Sequence, residues 1–100
     1  MVLNELQVRQ KLEDIPNWIT SGHLIANTYQ FKDFVQAIDF VNRLVEPAES
    51  AAHHPDLEIY YNKVTVHLTT HDAGGITQKD FDLAYQIEAI AYKMLNKGEA

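Results

Sequence analysis

The chain contains no cysteine. That excludes disulfides, thiolate nucleophiles and Cys-based zinc sites at the outset. It fits a reducing compartment, and the cytoplasm is the expected location. Proline and glycine are sparse, three and four in 100 residues. No Pro/Gly/Ser-rich linker divides the chain, so a single domain over residues 1–100 is expected. Basic residues are few. Eight Lys and Arg against fourteen Asp and Glu give a formal charge of −6, and the eight are scattered. Nucleic-acid affinity comes largely from Lys and Arg neutralising phosphates, so no nucleic-acid partner is expected. No apolar run approaches the roughly 20 residues of a membrane span. The segment from Met1 to Leu6 shows neither a basic n-region nor an apolar h-region, so neither a secretory signal nor a membrane partner is expected.

What is present is a hydrophobic content of 46%, enough for one modest core and against disorder. Residues 3–13 suggest a short helix, with Asn4 as cap and Leu6 and Leu12 as apolar contacts. Pro16-Asn17 breaks the chain before a strand at Trp18–Thr20, and Ser21-Gly22 signals a turn into a second strand, His23–Phe31. Residues 33–46 carry a helical stripe of Phe34, Ala37, Ile38, Val41, Leu44 and Val45, with Asp33 as cap. Pro47 ends that helix or starts an irregular last turn, and Glu49 to Pro55 connects onward. Leu57, Ile59 and Tyr61, then Val64, Val66 and Leu68, alternate as two strands with Asn62 in the turn. Gly74-Gly75 marks a loop. Thr77 to Asp80 resembles a capping box with Asp in place of Glu. A last helix, about 78–96, presents Phe81, Ala84, Tyr85, Ile87, Ala91, Tyr92 and Leu95, with Gly98 as its stop. The expected class is α+β in two layers: a four-stranded antiparallel sheet with three helices on one face, in the order α-ββ-α-ββ-α. Such a sheet leaves edge strands that a second copy of the chain could pair.

Three of the five histidines fall at the ends of the second hairpin: His53 and His54 before it, His71 after it. Antiparallel pairing brings residues near 55 and near 70 together. Imidazole both gives and takes protons near neutrality, so three around one pocket suggest proton-transfer chemistry. Pro55 holds His54 extended, and adjacent residues in extended chain point to opposite sides. One of the pair would then face a pocket and the other orient it or touch a substrate edge. Zinc is the rival occupant, but the His-His pair lacks the spacing of a helical chelate such as H-x-x-x-H, so no metal site is assigned. His67 and His23 suit the sheet surface and a turn. Trp18 suits the core, or the wall of a pocket for a flat heterocycle. Asp80 suits a helix cap that can also border a pocket.

Glu49-x-x-x-His53-His54-Pro55, Tyr61-Asn62-Lys63-Val64, Thr70-His71-Asp72 and Asp80, with Trp18 and Phe31-Lys32-Asp33-Phe34 upstream, resemble the pterin-4a-carbinolamine dehydratase family. The resemblance runs from about 16 to 95. Ala52, Leu57 and Lys79 depart from residues common in that family. The resemblance implies dehydration of 4a-hydroxytetrahydropterin to quinonoid dihydropterin and water, without metal or cofactor, the pterin being the substrate. It implies His53 and His71 as the acid–base pair and His54 as a positioning group. Glu49 and Asp72 would orient imidazoles, Asp80 would stand at the pocket edge and Trp18 would form an apolar wall. It further implies a homodimer or homotetramer, and an aromatic amino acid hydroxylase upstream in tetrahydropterin recycling. A non-catalytic assembly or dimerisation protein on the same fold is the alternative.

Overall fold

The computed structural model describes residues 1–96; the expected stop at Gly98 lies outside the described residues. Its first helix, α1 (Glu5–Leu12), begins with a reciprocal cap. The Asn4 side chain accepts from the Gln7 amide at 2.8 Å, and the Asn4 amide donates to the Gln7 side chain at 2.9 Å. The expected contact at Leu6 is corrected: Leu6 is exposed, while Val8 is buried and Leu12 partly so. Val8 and Leu12 are four residues apart and share a face, which turns Leu6 to solvent.

Strands β1 (Ile19–Ser21) and β2 (Leu24–Gln30) form the first hairpin around Gly22, whose φ of +62° suits glycine. Strands β3 (Asp56–Tyr60) and β4 (Lys63–Leu68) form the second. The positive φ of that turn falls on Tyr61. Asn62 instead clasps the chain, its Nδ2 donating to the Phe31 carbonyl and its own carbonyl accepting from the Phe31 amide, each at 2.8 Å. All pairings are antiparallel in the order β1-β2-β4-β3, so the two hairpins join through their second strands.

Register decides which side chains face inward. Ile25 pairs with Leu68, Tyr29 with Val64 and Leu57 with Val66, which stacks the alternating apolar residues on one face. That face meets Phe40, Phe81, Ala84 and Ile87 of the helices in one core cluster. Phe40 packs its ring 5.1 Å from Tyr29 and 4.8 Å from Phe31. The other face carries Thr28 and Thr65, hydrogen-bonded at 2.8 Å, and His67.

The middle helix is broken in two: α2 (Phe34–Arg43) and α3 (Val45–Ala51) meet at Leu44. Pro47 has no amide to give the Arg43 carbonyl, so the helix breaks before it and restarts with Pro47 inside the first turn of α3. Glu49, expected in a connection, is therefore helical. The final helix, α4 (Gln78–Asn96), buries Phe81, Leu83, Ala84, Ile87, Ala91 and Met94. Tyr92 and Leu95, expected on that stripe, are exposed.

Candidate active site

Helix α3 ends in a double turn that aims the histidines. Ala52 takes a left-handed conformation at φ 50°, its amide bonds the Glu49 carbonyl, and the His53 amide bonds the Ala48 carbonyl. This is the Schellman pattern usually closed by glycine. An L-residue in that conformation costs about 1–2 kcal/mol, so the packing that follows must hold it.

The extended chain after Ala52 sends its two imidazoles to different surroundings. His53 Nε2 lies 2.6 Å from Asp80 Oδ1, with side chains 11% and 0% exposed. His54 Nε2 lies 2.7 Å from Glu49 Oε2, with side chains 61% and 69% exposed. The expected division of the pair is thus visible, His53 turned inward and His54 outward.

Asp80 sits in the first turn of α4, beneath His53 and out of contact with solvent. Its second oxygen accepts from the Thr70 hydroxyl at 2.8 Å and the Thr77 amide at 2.9 Å, the latter being half of the expected capping box. The hydroxyls of Thr70 and Thr77 are 2.8 Å apart. Thr70 gives its one hydrogen to the carboxylate, so Thr77 donates to Thr70 and accepts from the Lys79 amide. Every hydrogen bond therefore runs toward Asp80, and a carboxylate placed so accepts from His53 as well. That assigns the proton to Nε2 and leaves the Nδ1 lone pair for a ligand. Among the described residues Nδ1 has no hydrogen-bond partner.

Continuing the β3–β4 register beyond Asp56–His67 sets His53 opposite Thr70, and Thr70 is next to His71. Thr70 thus links the two expected acid–base residues: its hydroxyl shares the carboxylate with His53, and the following residue is His71. His71 opens a short 3-10 turn, His71–Ala73, and is exposed. Asp72 is exposed and borders a cavity of about 540 Å³ with Thr70, Thr77 and Lys79; among the described residues its side chain has no hydrogen bond. Trp18 is placed apart in its contacts. It is buried, and its Nε1 donates to Tyr29 Oη at 3.1 Å and Glu88 Oε1 at 3.0 Å. The sequence shows Thr77 as a helix cap and Thr70 as the neighbour of His71; neither reading joins them through the Asp80 carboxylate to His53. Among the described residues no three His, Asp or Glu side chains gather as a metal-binding group.

Residues 1–90 match the family model for pterin 4 alpha carbinolamine dehydratase. A provisionally named pterin-4-alpha-carbinolamine dehydratase of Cyanothece sp. is 54% identical over 90 residues, covering 90% of this chain and 93% of its own. One from Picosynechococcus sp. is 60% identical over 82 residues, covering 82% and 89%. Among solved structures, a transcriptional coactivator/pterin dehydratase from Brucella melitensis superposes with a TM-score of 0.86 at 32% identity, covering 91% of this chain and 99% of that one. A pterin dehydratase-like protein identified as a RuBisCO assembly factor in the alpha-carboxysome shares the fold, with a TM-score of 0.60 at 17% identity, covering 74% and 86%. The chain belongs to the pterin 4 alpha carbinolamine dehydratase family.

Proposed function

We propose that this chain dehydrates 4a-hydroxytetrahydropterin to quinonoid dihydropterin and water, as a step in tetrahydropterin recycling after an aromatic amino acid hydroxylase. The C4a–O bond breaks, the N5–H bond breaks and a C4a=N5 double bond forms. One group must therefore accept the N5 proton while another gives a proton to the departing hydroxyl. The observation that carries the reading is the His53–Asp80 contact. The buried carboxylate holds Nε2–H and leaves Nδ1 as an acceptor, the role needed at N5. His71 is exposed at the far end of β4, which suits the group that gives a proton to the departing hydroxyl. His54, tied to Glu49 on the open side, helps position the substrate, and Asp72, the neighbour of His71, borders the cavity lined by Thr70 and Thr77.

The unpaired edges β1 and β3, with exposed Ile19, Ile59 and Tyr60, support assembly into a homodimer or homotetramer. The test is decay of synthetic 4a-hydroxytetrahydropterin, followed by its ultraviolet change. His53→Ala should lose about 100- to 10,000-fold of the acceleration, the usual worth of a positioned acid or base, while the variant stays folded by circular dichroism. A folded wild type that gives no acceleration over buffer overturns the reading in favour of a non-catalytic assembly protein.

A further inference from the structure

His23 shares a cavity of about 280 Å³ with His71, floored by Gly74 and Gly75 and walled by Leu24 and Thr69. The same His23, Gly74 and Gly75 also line a groove of about 520 Å³ that runs on to Thr20, Glu5 and Arg9. We infer that this run is a subsite for the substituent at C6 of the pterin, and that His23 favours hydroxyl-bearing substituents there. The inference rests on the dehydratase reading above.

The backbone holds the two segments that carry these histidines beside each other. The Thr69 hydroxyl donates to the His23 carbonyl at 2.5 Å, and the Thr70 amide donates to the Gly75 carbonyl at 3.0 Å. The β1–β2 turn and the 70–75 loop are thereby both tied to the end of β4. Both histidines are exposed, and among the described residues neither imidazole has a hydrogen-bond partner. Gly74 is held at φ +79°, with no atom within 4 Å of where a Cβ would lie, so the floor there is open.

The chemistry supplies the direction. C6 is bonded to N5, so a C6 substituent must lie beside the groups that serve the reacting centre. With His71 at that centre, the next free polar side chain along the cavity is His23. The groove beyond offers both donors and acceptors without net charge: Arg9 is paired with Glu5 at 3.0 Å, and the Thr20 hydroxyl, donating to the Leu24 carbonyl, still accepts. Such a set suits hydroxyls, whereas a phosphate or carboxylate would find no uncompensated cation.

The experiment compares two 4a-hydroxytetrahydropterins, one with a methyl and one with a 1,2-dihydroxypropyl group at C6, on wild type, His23→Ala and His23→Gln. The expected result is a KM for the dihydroxypropyl substrate raised about five- to tenfold in His23→Ala, the worth of one lost hydrogen bond. Its kcat should be unchanged, both constants for the methyl substrate should be unchanged, and His23→Gln should recover part of the loss. An equal loss on both substrates, or none on either, overturns the subsite while leaving the dehydratase reading intact. Inactivity of the wild type on both substrates overturns the two together.

Discussion

His53 and His54 are consecutive, identical, and almost equally far from a carboxylate. Their surroundings are opposite. The His53–Asp80 contact is closed to water, and the His54–Glu49 contact stands in it. A hydrogen bond to a carboxylate is roughly twice as strong as a neutral one, and burial strengthens it further while adding a desolvation cost. What burial adds is therefore dependence. Asp80 accepts from His53, Thr70 and Thr77 and has no solvent to replace them. Glu49 has water whenever His54 swings away. Hydrogen-bond length does not rank the two contacts; the availability of a substitute partner does.

The sharpest way to break this comparison is Asp80→Ala. It orphans the Thr77 amide and a nearly buried imidazole at once and leaves the Thr70 hydroxyl only its contact with Thr77, for an expected loss of about 3–5 kcal/mol. Urea denaturation measures it. A loss below about 1 kcal/mol would put the buried contact in the class of exposed ones and end the distinction. Dehydration should fall with it, and Asp80→Asn should recover more stability than activity, because an amide fills the space but can leave the wrong nitrogen protonated, as in other carboxylate-held histidines.

A third carboxylate sharpens the comparison, because Glu88 is half-buried and lies between the extremes. Tyr29 donates to its Oε1 at 2.5 Å and Trp18 to the same atom at 3.0 Å. Burial first, and the Glu88 carboxylate second, push the Tyr29 phenol well above its usual value. Below about pH 10 the phenol is protonated in both folded and unfolded chains, and its contribution is complete. As pH rises further the unfolded chain ionises first, so stability falls across the alkaline range toward the raised folded value. Tyr29→Phe should cost about 1–2 kcal/mol at neutral pH, and the gap to wild type should narrow above pH 10. Unfolding curves from pH 7 to 11 that stay parallel would remove the ionisation from the account.

The contrast between the two histidines was partly legible in the sequence. Pro55 fixes an extended backbone, and alternation then demands opposite sides. The sheet was legible because Val64, Val66 and Leu68 keep a strict period of two, and the Thr77–Asp80 cap because its spacing is local. The break at Leu44 was not. Pro47 marks a disruption, but whether a helix stops or restarts depends on the packing of Pro47 and Ala48, both buried. Nor could spacing show that Asp80 lies under His53, 27 residues away, or that His23 lines the same cavity as His71. Both depend on how strand ends meet across the sheet. Trp18 was legible as a core residue, while its two acceptors, Tyr29 and Glu88, lie on separate elements brought together only by folding.

The smallest expected effect is the most exacting for the comparison. Glu49→Gln removes the charge from the exposed contact and keeps the side-chain length. An exposed pair contributes about 0–1 kcal/mol, because water competes for both groups and salt screens what remains. Stability should therefore change by less than about 0.5 kcal/mol, and the difference from wild type should vanish as salt is raised. In the Asp80→Ala variant the loss should persist at high salt, since no counterion reaches the carboxylate's place. Measuring both variants at low and high salt tests the proposition directly. If Glu49→Gln proves as costly as Asp80→Ala, and equally indifferent to salt, His54 is held by something other than an open ion pair. The two histidines would then share a single buried site, the arrangement that a partner subunit covering the outer one would produce.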